Sequence, residues 1–331
     1  LAMTTVLSTR RLAAAALLLV AATAAGAARA ETLRYKFKAG EKSNYVVSNE
    51  TSMKIDLSGT TFEIGFKMIF DMTWDVKSVD ADGGASIGLK MDRVQVNMQS
   101  PLQGEMVFDS AGGPKPEGQI WQQMGAPLEA MVGQEFSLKV AANGKVSDIQ
   151  LPEKVLEVVN KQQGQRTGPR MGNMAGPEQI KEQIENAFVL LPEKAVEANA
   201  TWDKKTSTKM PRMGTQNTDV TYTFKGQEKK GADEVARIDA KTQMTFEPLE
   251  GSEVDAEITE QKGTGEIAFN VTAGKVDGMS FHQKVGMNIN ARDREITQEI
   301  ESKRTLKPGK SENPPPADKK PEEKKDAAKK K

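Results

Sequence analysis

Cysteine is absent and histidine occurs once in the 331 residues. That excludes disulfides, thiolate nucleophiles, iron–sulfur clusters and Cys/His zinc sites. Any Ser–His–Asp arrangement would have to recruit His282, which alternates with Phe281 in the manner of a polar strand residue. Aromatic residues make up only 5% of the chain, too few for the two girdles of an outer-membrane barrel. Nor is there an excess of positive charge, since Lys+Arg and Asp+Glu stand at 46 each. That neutrality hides three segments. Residues 1–30 carry three Arg and no acid, residues 307–331 carry nine Lys against five acids, and the body between them holds 34 basic and 41 acidic side chains, a net charge of −7. An acidic body without a basic cluster repels phosphate, so no nucleic-acid partner is expected.

Long apolar runs are missing except at the beginning. Arg10-Arg11 precedes LAAAALLLVAATAAGAA, and the run closes on Ala28-Arg29-Ala30 before Glu31. A positive start, an apolar stretch and small residues at the −3 and −1 positions make a secretory signal peptide over 1–30, cut before Glu31. The protein is therefore expected outside the cytoplasm of a bacterium, periplasmic or secreted. A retained anchor needs about 20 strongly apolar residues, whereas this run is mostly Ala, so the mature chain is not expected to be an integral membrane protein. Ser8-Thr9-Arg10-Arg11 leaves the twin-arginine route open beside the general one.

What the body does have is alternation. Phe62, Ile64, Phe66, Met68, Phe70, Met72, Trp74 and Val76 follow one another at spacing two, with mostly charged or small residues between them. This is the pattern of a strand with one apolar and one polar face. Fifteen residues at about 3.3 Å each make a strand on the order of 50 Å long, which must twist and coil. Similar alternation runs through Met53/Ile55/Leu57, Ile87/Leu89/Met91, Val94/Val96/Met98, Met106/Phe108 and Phe136/Leu138/Val140. It resumes at Val220/Tyr222/Phe224, Met244/Phe246, Ile267/Phe269/Val271, Met279/Phe281 and Val285/Met287/Ile289. The phase slips at Asp92-Arg93, where a β-bulge would return both halves to one face. Asp80-Ala-Asp-Gly-Gly84 lacks the further ligands of a calcium loop and reads as a hairpin turn with Gly83 at positive φ.

Helical periodicity is confined to the middle. Ile120, Met124, Leu128 and Met131 share a stripe that Gly125 and Pro127 are expected to break in two. Pro152 opens a helix bearing Val155, Val158 and Val159, and Pro177 opens one bearing Ile180, Ile184 and Phe188. Residues 161–177 between them read as a flexible loop that could act as a lid. The fold expected is mainly β: a long, strongly curved antiparallel sheet or partial barrel with helices covering one side. FSLKVAANGKVSDI at Phe136–Ile149 echoes IAFNVTAGKVDGM at Ile267–Met279, so a duplicated meander is one reading. The segments are then 31–150 for the first meander, 151–200 for the helical insertion, 201–306 for the second meander, and 307–331 for a disordered Lys/Pro-rich tail.

LRYKFKAGEKSNYVV at Leu33–Val47, Gly144-Lys-Val146 and LPEKAVEANATW at Leu191–Trp202 resemble an uncharacterised family of secreted, β-rich bacterial proteins common in planctomycetes. Where that family commonly places Gly-Asp before the Trp, this chain has Asn199-Ala-Thr201. The resemblance implies export and an all-β-dominated body, and brings no catalytic residue.

Three function classes follow. The apolar face Phe62–Val76 suggests a non-catalytic protein that holds a lipid or other apolar ligand on the curved sheet, since Met side chains adapt to irregular apolar shapes. An ordinary filled core is the competing reading. The Lys-rich tail suggests an adaptor tethered to an envelope component. An enzyme using paired carboxylates is disfavoured, because Asp71 and Asp75 stand about 13 Å apart along one strand. No metal or cofactor is expected.

Overall fold

The alternating stripe lies within a 20-residue strand, β2 (Thr60–Val79), in the computed structural model, which describes residues 30–57, 59–101, 104–165, 176–210, 214–252, 254–291 and 294–312. The expected signal segment, except Ala30, lies outside the described residues, as do 166–175 of the expected lid and 313–331 of the tail. The remaining strands of the first meander are β1 (Lys42–Leu57), β3 (Ala85–Ser100), β4 (Gly104–Asp109), β5 (Glu135–Val140) and β6 (Val146–Gln150). The second holds β7 (Thr201–Met210), β8 (Gly214–Lys230), β9 (Asp233–Pro248), β10 (Val254–Asn270), β11 (Lys275–Ala291) and β12 (Arg294–Pro308). All twelve form one sheet in the order β6-β5-β3-β2-β1-β12-β11-β10-β9-β8-β7, with β4 alongside the far half of β3. Every named strand pair is antiparallel, and the two meanders lay their strands down in the same lateral order. They join where β1 pairs with β12, from Tyr45↔Pro308 to Leu57↔Ile296. Thus β12 continues two residues into the segment read as tail, and Ser311 is fixed beyond it by donating its N–H and hydroxyl to Asp71, each at 2.8 Å.

Hydrogen bonds demonstrate the curl. In a flat sheet the β5–β6 and β10–β11 turns would lie six strand spacings apart, roughly 29 Å. Yet the adjacent residues Tyr35 and Lys36 donate their N–H groups to Ala142 and Gly274, one in each turn, at 2.8 and 3.1 Å. The two carbonyls must then be within about 10 Å of each other, so the sheet bends nearly into a tube at this end. It does not close by strand pairing. Instead the chain through 189–200 bridges the gap: Leu191 N–H bonds Asn143, while Asn199 and Ala200 pair with Phe224 of β8. One-residue bulges at Lys77, Asp92, Lys225, Thr259 and Asp277 supply local bends while keeping apolar residues on the inner side.

Two glycines allow the strap 30–41 to lie so close. Gly144 has φ +83°, and a Cβ there would stand 2.1 Å from the Val189 carbonyl oxygen. Gly274 has φ +65°, and its Cβ would meet the Lys36 backbone at 2.4 Å. Tyr35 is buried between them, its hydroxyl accepting from Val189 N–H at 3.0 Å and donating to Val189 O at 3.3 Å. Its ring meets Phe269 edge-on, and Trp74 stacks on Phe188 with centroids 4.1 Å apart.

Three helices cover part of the inner side. Helix α1 (Gln119–Met131) is continuous, contrary to the break expected at Gly125 and Pro127. Gly125 leaves room for the Trp121 ring, whose atoms would be 2.4 Å from a Cβ, and Trp121 packs on Phe108 at 4.5 Å. That packing outweighs the lost N–H of Pro127. Helix α2 (Glu153–Gln165) takes in five residues of the expected loop, 161–165, and buries Val155 and Val159. Helix α3 (Pro177–Glu185) starts on its proline and buries Ile180 and Ile184.

Candidate functional site

Register places the eight residues from Phe62 to Val76 on one side of β2, but in two environments. Phe70, Met72, Trp74 and Val76 are buried in the continuous core at the strapped end. Phe62, Ile64, Phe66 and Met68 are half-buried, and the candidate face narrows to this distal half. Register extends it across the sheet. Ile64 lies opposite Met53, Met53 opposite Ile300 and Ile300 opposite Val285; Phe62 lies opposite Ile55, and Leu57 opposite Ile296, which faces Ile289. Apart from buried Val285 these are half-buried, and none except Ile64 packs into the continuous core. The intervening residues Lys54, Glu63, Lys67, Glu295 and Glu299 point to the outer side and are exposed. Thus the inner wall at the open end is a second apolar surface that no described helix fills.

Between this surface and the core runs a polar belt. Asn49 and Thr51 of β1 stand opposite Arg304 and Ser302 of β12, which stand opposite Phe281 and Gln283 of β11. Arg304 reaches under the last turn of α3, donating from Nη2 to Gln183 O at 3.4 Å, while its Nε is buried without a hydrogen-bond partner. Burial lowers its pKa to about 10. On β7, at one edge of the sheet, burial likewise lowers the pKa of Lys204, whose Nζ donates to Asn186 Oδ1 at 2.9 Å. The alternating pattern could have flagged Arg304, since it occupies an inward position between Ser302 and Leu306; β12 escaped notice because its inward series is half polar.

The carboxylates considered for catalysis are engaged elsewhere. Asp71 is buried and held by Ser311, and Asp75 pairs with Lys77 at 3.0 Å and Lys42 at 3.4 Å. His282 is exposed on the outer side, 2.8 Å from Glu301. Gly84-Ala-Ser86-Ile-Gly88 has the spacing of a hydrolase nucleophile turn, but it runs into and along β3, four strands from His282, rather than through a strand-to-helix turn. In the Asp80–Gly84 hairpin the Asp80 side chain accepts the N–H groups of Asp82 at 3.1 Å and Gly84 at 2.7 Å, with Gly83 at φ +79°. No group of three or more potential metal ligands occurs among the described residues. No described helix is long and apolar enough to cross a membrane. The outer side carries an open groove of about 820 Å³ between β8 and β12. Lys225, Arg237, Lys303 and Lys307 share it with Asp239, Glu266 and Asp277, a mixed-charge lining with no net preference for an ion.

A family model matches residues 82–280, and the chain belongs to that family, the family of unknown function DUF6263. No curated protein matches. Among solved structures the chain is similar to one of lipovitellin, described by its lipid–protein interactions, at 13% identity and TM-score 0.46 over 86% of this chain. It spans about a quarter of the lipovitellin chain, 26%. DynF of the dynemicin biosynthesis pathway of Micromonospora chersina aligns over 83% of this chain and 85% of its own at 5% identity and TM-score 0.18. An outer membrane channel from Pseudomonas putida aligns over 86% and 98% at 7% identity and TM-score 0.21.

Proposed function

We propose that this member of DUF6263 is an exported, non-catalytic bacterial protein whose inner sheet wall holds a lipid or another apolar ligand. The export reading rests on the first thirty residues. The binding reading is carried by one observation: Met53, Ile55, Phe62 and Ile300 form an apolar surface on the inner wall, outside the continuous core and partly accessible to solvent. A contiguous, partly accessible apolar surface outside the core suits an interaction site, and Met53 and Met287 add side chains that adjust to an irregular chain. Phe62, Ile64, Phe66 and Met68 contribute its β2 border, while Phe70, Met72, Trp74 and Val76 support it from the core. Native mass spectrometry of the purified chain tests the reading. An acyl-lipid adduct, lost when Ile300 is replaced by Asp, is the expected result. A ligand-free chain that also fails to take up a fluorescent fatty acid would end the proposal.

The adaptor reading has its own observation. Ser311, the start of the basic segment, is tied to Asp71 on the outer side, away from the apolar inner wall. Removing residues 313–331 should then weaken binding to anionic vesicles while leaving fatty-acid uptake unchanged.

A further inference from the structure

Resting on the ligand reading above, we infer that the ligand is an anionic amphiphile whose headgroup is held by Arg304 in the polar belt, with its tail lying along the apolar wall toward the open end. A guanidinium offers five N–H donors in a planar fork suited to carboxylate or phosphate. At Arg304 one of them reaches Gln183 O at a long 3.4 Å, and Nε is buried without an acceptor. Capping α3 therefore accounts for little of its bonding capacity. Among the described residues no carboxylate lies within ion-pair distance of it; Glu182 acts on it through space and accepts instead from Thr208 at 2.9 Å. Arg304 is half-buried, its Nη2 end accessible and its Nε shut off from solvent, so an anion that reaches the guanidinium meets free donors. Lys204, the other inward cation singled out among the described residues, donates to Asn186, whereas the Arg304 guanidinium keeps donors to spare.

Position supports the same assignment. Arg304 lies at the inner boundary of the apolar surface, and the inward positions of its strand continue through Ile300, Gln298 and Ile296, flanked by Met53, Ile55 and Leu57 of β1. Eight residues at about 3.3 Å give roughly 26 Å of wall, ample for an acyl chain that fills half of a bilayer core about 30 Å thick. Asn49, Ser302 and Gln283 around the guanidinium offer further polar groups to the head.

The test uses the full chain and three probes with one tail: oleate, methyl oleate and oleyl alcohol, each titrated by displacement of a fluorescent fatty acid. The native chain should bind oleate about tenfold or more tightly than the neutral probes, as expected for charge-assisted hydrogen bonds. Arg304→Met should abolish that preference while leaving methyl oleate affinity unchanged, and Arg304→Lys should retain part of it. Equal binding of all three probes by the native chain, or a preference that persists in Arg304→Met, overturns the headgroup assignment while leaving apolar binding intact. Failure to bind any probe overturns both. The native-chain comparison requires no substitution, so it decides the matter even if Arg304→Met does not fold.

Discussion

Replacing Gly144 by alanine tests whether the strap is what holds the strapped end together. The residue has φ +83°, a conformation that costs an L-amino acid about 1 kcal/mol. The larger effect is steric. The new Cβ would stand 2.1 Å from the Val189 carbonyl oxygen and 2.7 Å from the Tyr35 ring, so the backbone at Val189 must retreat by more than an ångström. Both hydrogen bonds between Tyr35 and Val189 stretch with it, at about 1 kcal/mol each. Some packing around Phe188 loosens as well, for a total of about 3 to 5 kcal/mol. Gly231→Ala is the internal control, because Gly231 has φ +66° in the β8–β9 turn and nothing within 4 Å of its would-be Cβ. It should lose only the conformational part, about 1 kcal/mol. Urea unfolding followed by tryptophan fluorescence measures both, with Trp74 as a reporter beside Phe188. Equal losses in the two variants would refute the strap's role.

Phe188→Ala should destabilise the chain by about 3 to 5 kcal/mol in the same assay, since it removes the ring stacked on Trp74 from a fully packed site. Asp109 is held to a pKa of about 2 by the Arg93 guanidinium, against an ordinary 3.8. Its folded-state value being depressed, its stabilisation, at most about 2 kcal/mol, is present above pH 4 and disappears between pH 4 and 2. Asp109→Asn should therefore be less stable than the native chain at pH 7 and equal to it near pH 2, as read by thermal melts across that range. At the open end, Ile300→Asp should cut fluorescent fatty-acid uptake at least tenfold while shifting the melting temperature little, because Ile300 lies outside the continuous core.

The strands with regular inward apolar residues were legible in the sequence because burial of one face forces a period of two. The bulge at Asp92 and the turn glycine at 83 were legible for a similar reason, since each answers a local steric demand. Strands β7 and β12 were not, because their inward positions include Lys204, Thr206, Ser302 and Arg304, whose polarity masks the alternation. The pairing of β1 with β12 is a contact between opposite ends of the body, and no local pattern encodes it. Helix α1 stayed whole because Trp121 needs Gly125, a tertiary reason that overrides the local cost of Pro127. The candidate face was read from one strand, so its true extent across β1, β11 and β12 appeared only with the register, and so did the placement of Arg304 at its margin.

The seam between the first and last strands also orders events during synthesis. Until residues 294–308 have left the ribosome, β1 has a bare edge along thirteen ladder positions, and an uncovered edge is a template for unwanted association. Contacts that span nearly the whole body form late and slowly. A polypeptide built this way leaves the edge of its amino-terminal meander unpaired until residues 294–308 arrive to cover it.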